Sequence, residues 1–198
     1  MEIAARERKK EIRKHILKQR DVIPEEKQKR DSARITESLV TLPAYREAEV
    51  IMTYCSYRSE ADTQRFMDKA FLDGKQVYVP KVSGDSMDFY RITCIEELKP
   101  GYKGIPEPDG GDVLTANYLS SKKALMLLPG AVDRKHNRIG YGKGYYDKYL
   151  SGLRQELSDC ERMPYTVAIC FSVQLVEQIP GEEHDIRPDR IVTELEIF

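Results

Sequence analysis

The stretch from Arg138 to Asp147, RIGYGKGYYD, combines residue types that suit the binding of phosphate. Three glycines alternate with other residues in it: Gly140, Gly142 and Gly144. Glycine lets a backbone fold closely around oxygen atoms, and Lys143 adds a compact positive charge. Arg138 provides a second cation, and a carboxylate such as Asp147 can hold Mg²⁺ that bridges phosphate groups. The stretch therefore predicts a phosphate or nucleotide site.

Two alternative roles for this stretch stay open. Its G-x-G-x-G spacing matches neither the Walker loop nor the dinucleotide-binding fingerprint, so the glycines could form a purely structural turn. Tyr145 and Tyr146, close to basic residues, could instead stack the bases of a single-stranded nucleic acid. The net charge of −1, from 32 basic and 33 acidic residues, gives that last role no general support.

The neighbouring segments predict where this stretch lies. The segment KALMLLPG before it is a continuous apolar run, which is typical of a strand buried on both faces. The segment YYDKYLSGLRQEL at its end predicts a helix. Ligands of open α/β sheets bind where a strand leads into a helix, because the first amides of the helix are free to meet phosphates. The glycines are therefore expected at the carboxyl edge of a sheet.

Strands and helices alternate along the rest of the chain. Helices are predicted over roughly the first twenty residues, from Pro24 toward Leu42, and over DTQRFMDKAFLDG, which ends at Gly74. Further strands are predicted at EVIMTYCS, QVYVPKV, SMDFYRI, YTVAICFS and RIVTE, and a long ordered loop at LKPGYKGIPEPDGGD. This order predicts an α/β fold with a mainly parallel sheet, in a single domain over residues 1–198.

The first predicted helix has an unusual distribution of charge. Three cations share one arc with the apolar residues Ile12, Ile16 and Leu17: Lys9, Arg13 and Arg20. A surface helix normally keeps its charges opposite its apolar stripe. Either the cationic side chains extend along the edge of the core to reach water, or the helix docks with a basic face pointing into an anion site.

Composition predicts a soluble protein of the reducing cytoplasm. Hydrophobic residues make up 40% of the chain and charged residues 33%, and neither a membrane span nor a secretory signal is recognised. Cys55, Cys94, Cys160 and Cys170 lack the spacing of a metal site, and all but Cys160 fall in apolar runs that predict buried free thiols. The near-neutral charge favours a monomer.

Five segments, in this order, carry a resemblance to a known family: RKKEIRKHILKQR, YCSYRSEADT, GIPEP, NRIGYGKGYYDKYL and PYTVAICFSVQL…HDIRPDRIVTE. Together they resemble the 5-formyltetrahydrofolate cyclo-ligases, also called 5,10-methenyltetrahydrofolate synthetases. The resemblance implies a three-layer α/β/α sandwich. It also implies that ATP and Mg²⁺ are used to convert 5-formyltetrahydrofolate into 5,10-methenyltetrahydrofolate, with release of ADP and phosphate. In that reaction the formyl oxygen is phosphorylated and N10 then closes the ring.

The same resemblance implies individual roles. For ATP binding it implies Lys9, Arg13, Arg138, Gly140, Gly142, Lys143, Gly144 and Tyr145. Of these, the expected catalytic residues are Arg138, Lys143 and Tyr145. For Mg²⁺ it implies Asp147 and Asp185. For the reduced folate it implies Cys55, Glu60, Met87 and Tyr146, with Cys55 and Met87 lining one pocket.

This chain departs from the family pattern in two places. The segment PGAVDRKHNR is one residue shorter, lacks a phenylalanine and has His136 where glycine is common, which affects the contacts of Asp133. Lys103 and Gly104 stand where some members have tryptophan, so Tyr102 could cover the pterin, or Lys103 could meet the glutamate tail of the substrate. Two alternative functions stay open: a folate- or RNA-binding protein without turnover, and a small-molecule kinase.

Overall fold

The strands follow the apolar segments of the sequence. The structure, a computed structural model, describes residues 2–157, 163–182 and 185–198. Its strands are β1 (Val50–Met52), β2 (Gln76–Ser83), β3 (Ser86–Ile92), β4 (Leu98–Pro100), β5 (Pro106–Pro108), β6 (Ala124–Pro129), β7 (Ala131–Asp133), β8 (Arg138–Ile139), β9 (Tyr165–Ile169), β10 (Leu175–Val176) and β11 (Arg190–Val192). Its α-helices are α1 (Glu2–Asp21), α2 (Glu25–Thr41), α3 (Pro43–Glu47), α4 (Gln64–Leu72), α5 (Ala116–Leu119) and α6 (Tyr145–Glu156).

The main sheet has six strands in the order β11-β9-β6-β1-β2-β3. All neighbours in it run parallel except β2 and β3, which form an antiparallel hairpin from Val77 opposite Ile92 to Ser83 opposite Ser86. The central strands β1 and β6 are almost completely buried, as the continuous apolar run of KALMLLPG predicted. The predicted α/β fold with a mainly parallel sheet is confirmed.

Helices cover both faces of this sheet, because successive strand residues point to opposite sides. On one face, α2, α3 and α4 pack against the sheet through Leu39, Tyr45, Phe66, Ile51 and Leu127. On the other face, α5 and α6 pack against it through Leu119, Leu150, Met52, Met126 and Leu128. The result is the expected three-layer sandwich, with two apolar layers separated by the sheet.

Helix α1 packs outside these two layers. Ile12 and Ile16 contact a separate apolar cluster with Ala131, Ile139 and Ile179. Ala131 and Ile139 belong to a small sheet of the order β10-β7-β8, which the sequence did not predict because its strands are only two or three residues long. Helix α1 is thereby held against the segment that carries the glycines.

Several predicted boundaries differ from the structure. The strand expected over EVIMTYCS is only Val50–Met52, because the chain then leaves the ladder for a loop at the carboxyl edge. The segment predicted as a long loop contains the hairpin of β4 and β5, which is closed by the hydrogen bond from Gly101 N to Ile105 O. The helix over DTQRFMDKAFLDG ends near Gly74 as predicted, with φ +73° at that glycine.

The cysteines agree only in part with the expectation of buried free thiols. Cys55 and Cys170 are buried and free, but Cys94 is only half-buried since it lies just beyond the end of β3, and Cys160 is outside the described residues. Within the described ranges, no helix combines the length and apolar character needed to cross a membrane.

Candidate active site

The glycine-rich stretch lies between β6 and α6 at the carboxyl edge of the main sheet, as the sequence predicted. Gly144 occupies the N-cap position of α6 in the left-handed conformation, with φ +67°, which a residue with a side chain adopts less readily. No side chain caps the helix at this position. The first amides of α6 are therefore available to an anion, and the helix dipole favours negative charge there.

Two of the three cations on α1, Arg13 and Arg20, contact this loop. Arg13 Nε donates a hydrogen bond of 2.8 Å to the carbonyl oxygen of Gly140. Its guanidinium carbon lies 3.5 Å from the position that a Cβ of Gly142 would occupy, and Gly142 has φ +99°. Lys143 is exposed, and its side chain forms no ion pair within the part of the chain that the structure describes. Arg13 and Lys143 thus surround the loop with positive charge.

Arg138 is buried beneath the loop and not exposed on it. Its side chain is 2% exposed, and Nη2 donates to both carboxylate oxygens of Asp147 at 3.0 Å. Nη1 donates to the carbonyl oxygen of Pro129 at 3.1 Å, and the guanidinium lies over the ring of Tyr146. Among the described residues, Arg138 Nε is a buried donor without a partner. Arg138 therefore holds Asp147 in place through Nη2, while its Nε–H remains without an acceptor among the described residues.

Lys9 connects the start of α1 to the segment before β11. Its ammonium lies 2.5 Å from Glu182 Oε2 and 2.6 Å from Asp185 Oδ2. Burial alone would lower the pKa of Lys9, but the hydrogen bonds and charges of the two acids raise it overall. The amide of Ile186 donates to Asp147 Oδ1 at 3.3 Å, so the segment that carries Asp185 also contacts Asp147. Asp147 therefore contacts the residue that follows Asp185 in the chain.

Glu60 occupies a nearly closed polar cluster beside the glycine-rich loop. Its side chain is 9% exposed, and Oε2 accepts a hydrogen bond of 2.8 Å from the amide of Tyr57. Arg20 Nη1 lies 4.0 Å from Glu60 Oε1 and donates to the hydroxyl of Tyr141 at 2.5 Å. Burial raises the pKa of Glu60, although Tyr141, Tyr57 and Arg20 oppose the shift.

The other residues expected to bind folate divide between two regions. Cys55 and Tyr146 lie close enough to Glu60 for its charge to raise the pKa of both side chains. Burial is the larger cause for Cys55 and raises its pKa to about 12. Met87 packs in the apolar layer on the other face of the sheet and lines a cleft of about 490 Å³ beside α6. Cys55 and Met87 thus pack in different clusters, and Tyr146 touches both layers.

Tyr145 lies with Met87 in this second region. Its hydroxyl donates to the carbonyl oxygen of Gly84 at 3.2 Å, and its ring meets the ring of Tyr102 edge to face at a centroid distance of 6.4 Å. Tyr102 therefore stands at the mouth of the site, next to the first residue of α6.

Comparison with known proteins agrees with this geometry. The model of the 5-formyltetrahydrofolate cyclo-ligase family matches residues 5–194, which is nearly the whole chain.

The chain belongs to the 5-formyltetrahydrofolate cyclo-ligase family.

Individual members of the cyclo-ligase family are similar over almost their full lengths. The 5-formyltetrahydrofolate cyclo-ligase of Mus musculus is 31% identical over 192 residues, covering 94% of this chain and 93% of the mouse protein. The protein of the same name from Escherichia coli K12 is 30% identical, covering 91% of this chain and 97% of its own. The NMR structure of Aquifex aeolicus 5,10-methenyltetrahydrofolate synthetase superposes with a TM-score of 0.79 at 29% identity and covers 96% of this chain and 91% of its own. The chain is therefore a ligase of folate metabolism.

The cyclo-ligase site of this chain fits a nucleotide with its metal ion. The uncapped start of α6 and the cations Arg13 and Lys143 are suited to phosphate oxygens. Across the described residues, no three His, Cys, Asp or Glu side chains form a group that could hold a metal. Mg²⁺ needs only one or two protein carboxylates when phosphates and waters complete its shell. Asp147 and Asp185 are two carboxylates that could hold such an ion.

Sequence reasoning did not recognise two residues of this cyclo-ligase site. The sequence assigns no individual role to Arg20, one of the three cations on the apolar arc of α1, and none to Tyr141. The signal for Arg20 was present, because a cation on the apolar arc of a helix needs a buried partner. The identity of that partner could not be read from the sequence, since Glu60 and Tyr141 are distant from it along the chain.

Proposed function

We propose that this chain converts 5-formyltetrahydrofolate into 5,10-methenyltetrahydrofolate at the expense of ATP, with Mg²⁺ as the metal ion. One observation supports this proposal above the others. The glycine-rich phosphate loop and the buried carboxylate of Glu60 meet at Arg20, whose Nη1 donates to the hydroxyl of Tyr141 and lies 4.0 Å from Glu60 Oε1. A nucleotide on the loop and a reduced folate held by Glu60 would therefore lie side by side, as transfer of a phosphoryl group between them requires.

The nucleotide would bind at the start of α6. The amides of Gly142, Lys143 and Gly144 and the first turn of α6 would surround the phosphates, with Lys143 and Arg13 neutralising their charge. Lys9 would reach the same phosphates from α1. Tyr145 would border the nucleotide with its ring, held by its contacts to Gly84 and Tyr102.

The metal ion would be held by Asp147 and Asp185. When bound, Mg²⁺ neutralises charge on the phosphate oxygens and fixes their direction. Arg138 keeps Asp147 oriented toward the site through its two hydrogen bonds, and Lys9 does the same for Asp185. These two cations are thus shared between the metal ligands and the phosphates.

The pterin would bind between Glu60, Cys55 and Tyr146. A carboxylate suits the amino and ring N–H groups of a pterin, and the aromatic ring of Tyr146 suits its flat face. Met87 and Tyr102 would meet the folate farther along the sheet edge, next to Tyr145. The exposed side chain of Lys103 beside Tyr102 would be free to meet the glutamate tail.

The reaction depends on positioning more than on a general base. The formyl oxygen of the substrate attacks the terminal phosphorus of ATP and ADP leaves, which converts a poor leaving group into a good one. N10 then attacks the formyl carbon and releases its proton to solvent, the ring closes, and phosphate departs. Negative charge is concentrated on the transferred phosphoryl group, so Lys143, Arg13 and the metal ligands contribute chiefly by holding and neutralising it.

A spectrophotometric assay tests the proposed function directly. Purified protein is mixed with 5-formyltetrahydrofolate, ATP and Mg²⁺, and the near-ultraviolet absorbance of the methenyl product is followed. Growth of the signal that requires all three components supports the proposal. A flat trace from folded protein that binds folate would indicate a binding protein without turnover. ADP release with another acceptor, but not with the folate, would indicate a small-molecule kinase.

We also propose that the chain acts as a monomer in the cytoplasm and without nucleic acid. The free thiols Cys55 and Cys170 are compatible with a reducing compartment, although one relative is labelled mitochondrial. Light scattering of the purified protein would test the monomer, and fluorescence microscopy of a tagged chain in its own cells would test the location.

A further inference from the structure

Arg20 stands where three separate segments of the chain meet. It lies in the last turn of α1 and is only 4% exposed. Its Nε donates to the hydroxyl of Ser59 at 3.0 Å, and its Nη1 donates to the hydroxyl of Tyr141 at 2.5 Å. Its guanidinium also lies over the ring of Tyr141, 5.6 Å from the centroid. A single buried cation therefore contacts both the loop after β1 and the glycine-rich loop.

Glu60 completes the charge balance of this cluster. Arg20 Nη1 is 4.0 Å from Glu60 Oε1, with exposed fractions of 5% and 9% for the two side chains. Tyr141 also lies close enough to Glu60 to lower the pKa of its carboxylate against the effect of burial. Tyr141 and Glu60 thus share the same guanidinium nitrogen of Arg20. Because a buried arginine or glutamate without its partner is costly, the three groups keep one another in place.

The cluster leaves little room for independent movement. The gap between α1 and the glycine-rich loop, lined by Arg13, Arg20, Gly140 and Tyr141, measures only about 10 Å³. That volume is about the minimum for one water molecule, so α1 and this part of the loop are in close contact, and movement of the loop away from α1 would break the hydrogen bond from Arg20 to Tyr141. Arg13 adds a second tie through its hydrogen bond to the Gly140 carbonyl.

We infer that Arg20 is a positioning residue that orders the phosphate loop and the folate carboxylate Glu60 as one unit, acting through Tyr141. This inference rests on the proposed function for the identity of the two ligands. Its consequence is cooperative binding: a nucleotide that orders the loop also orders Glu60, so the reduced folate binds more tightly to the nucleotide complex than to the free protein.

The variant Tyr141→Phe tests the link without removing the buried charge. It deletes one hydroxyl and keeps the ring that packs under Arg20. Tyr45→Phe is the control, because the hydroxyl of Tyr45 also bonds a side chain, Asp73 at 2.7 Å, in a different part of the fold. Arg20→Lys is the conservative variant, since lysine keeps the charge but cannot form the same fork of hydrogen bonds.

Hydrogen exchange of the protein alone gives the first readout, which does not depend on any activity. In Tyr141→Phe we expect amides in both 56–60 and 140–144 to exchange about tenfold faster, as loss of one charge-assisted hydrogen bond implies. Tyr45→Phe should leave both segments unchanged. Faster exchange confined to 140–144, or no change in either segment, would overturn the inference, even if the protein proves to be an active cyclo-ligase.

Equilibrium binding gives the second readout. The dissociation constant of 5-formyltetrahydrofolate is measured with and without Mg²⁺ and a non-hydrolysable ATP analogue. The wild type should bind folate about tenfold more tightly with the nucleotide than without it. The ratio of the two dissociation constants should approach one in Tyr141→Phe and lie between these values in Arg20→Lys. An equal ratio in all variants would contradict the coupling. Absence of folate binding in the wild type would instead refute the proposed function, while the exchange experiment still decides whether the two segments are linked.

Discussion

Lys9 Nζ lies 2.6 Å from Asp185 Oδ2, although the two residues are 176 positions apart in the sequence. The same ammonium contacts Glu182, so the amino-terminal helix is fixed to the last part of the chain by one cation and two carboxylates. In the proposed function, Lys9 meets phosphate and Asp185 meets Mg²⁺. The contact therefore holds a residue assigned to phosphate and a residue assigned to Mg²⁺ next to each other in the free protein.

The substitution Lys9→Met tests whether Mg²⁺ binds beside this contact. It leaves Glu182 and Asp185 close together without their cation, so we expect a loss of roughly 2 kcal/mol in the free energy of unfolding. For a chain of this size that is a fall of about 4–8 °C in Tm. Millimolar Mg²⁺ should restore part of the loss and raise Tm more in the variant than in the wild type. Lys10→Met, in an exposed ion pair, is the control; equal Mg²⁺ shifts in all three proteins would argue against the metal site.

Lys143 offers the cleanest test of the phosphate loop, because it is exposed and its removal should not disturb the fold. In Lys143→Met we expect kcat/KM to fall by about 100-fold or more, since a positive charge that stabilises the transferred phosphoryl group is lost. Tm should stay within about 1 °C, as is usual for surface changes. Lys14→Met, on the exposed side of α1, should keep full activity. Comparable activity of both variants would show that Lys143 does not contribute to the reaction.

Asp147→Asn separates catalysis from binding. The amide has the size of the carboxylate but binds Mg²⁺ far more weakly, so we expect turnover to fall at least about 100-fold while folate affinity without nucleotide stays within a factor of two. Asp68→Asn, at an exposed position of α4, serves as the control. If the Asp147 variant turns over normally at low Mg²⁺, another group holds the metal. Its Tm should also fall, because Arg138 loses a charged partner.

Glu60→Gln tests the carboxylate assigned to the folate. At pH 7.5 we expect the KM for folate to rise by about tenfold, the effect of one charged hydrogen bond. Burial raises the pKa of Glu60 above 4.5. As the pH falls, the wild-type carboxylate is therefore protonated at a higher pH than an exposed glutamate. Wild-type folate affinity should therefore weaken in that acidic range, whereas the affinity of Glu60→Gln should stay flat. Parallel profiles for both proteins would mean that Glu60 does not hold the folate as an anion.

The stability that Asp133 gives to its turn depends on pH. Burial alone would raise its pKa, but donors from the Asn137 side chain and from the amides of Ile179, Asn137 and Lys135 lower it below 3.8 overall. Because the folded pKa is the lower one, the stabilisation is present above about pH 4 and disappears as the pH falls further. Asp133→Asn should thus lose roughly 2 kcal/mol of unfolding free energy at pH 7, and this loss should shrink progressively as the pH falls below about 4, measured by urea unfolding. A constant difference at all pH values would contradict this account.

The same turn contains His136, at a position where glycine is expected from the sequence. His136 adopts φ +62°, the left-handed conformation that glycine enters without strain. Its Nδ1 lies 2.7 Å from the carbonyl oxygen of Pro188, and its ring meets Phe198 edge to face. These contacts with the last segment of the chain offset the strain. The shortened loop is therefore rebuilt around Asp133 and His136.

The sequence by itself determined the features that depend on local pattern. The apolar run of β6, the alternating strand β3, the end of α4 at Gly74 and the start of α6 after Gly144 were all predicted, because period and glycine placement are visible within a few residues. The position of the glycines at the carboxyl edge of a mainly parallel sheet followed from that order.

Only the tertiary structure decided how the charges are paired. The sequence left open whether the cations of α1 reach water or point into an anion site; in the structure Lys9 meets Asp185 and Arg20 meets Tyr141 and Glu60. The fold also places Arg138 beneath the loop and not on it, bonded to Asp147. Helical and strand patterns depend on neighbours in the chain, whereas a buried charge is satisfied by whichever distant group the packing brings within about 3 Å, and no local pattern specifies that group.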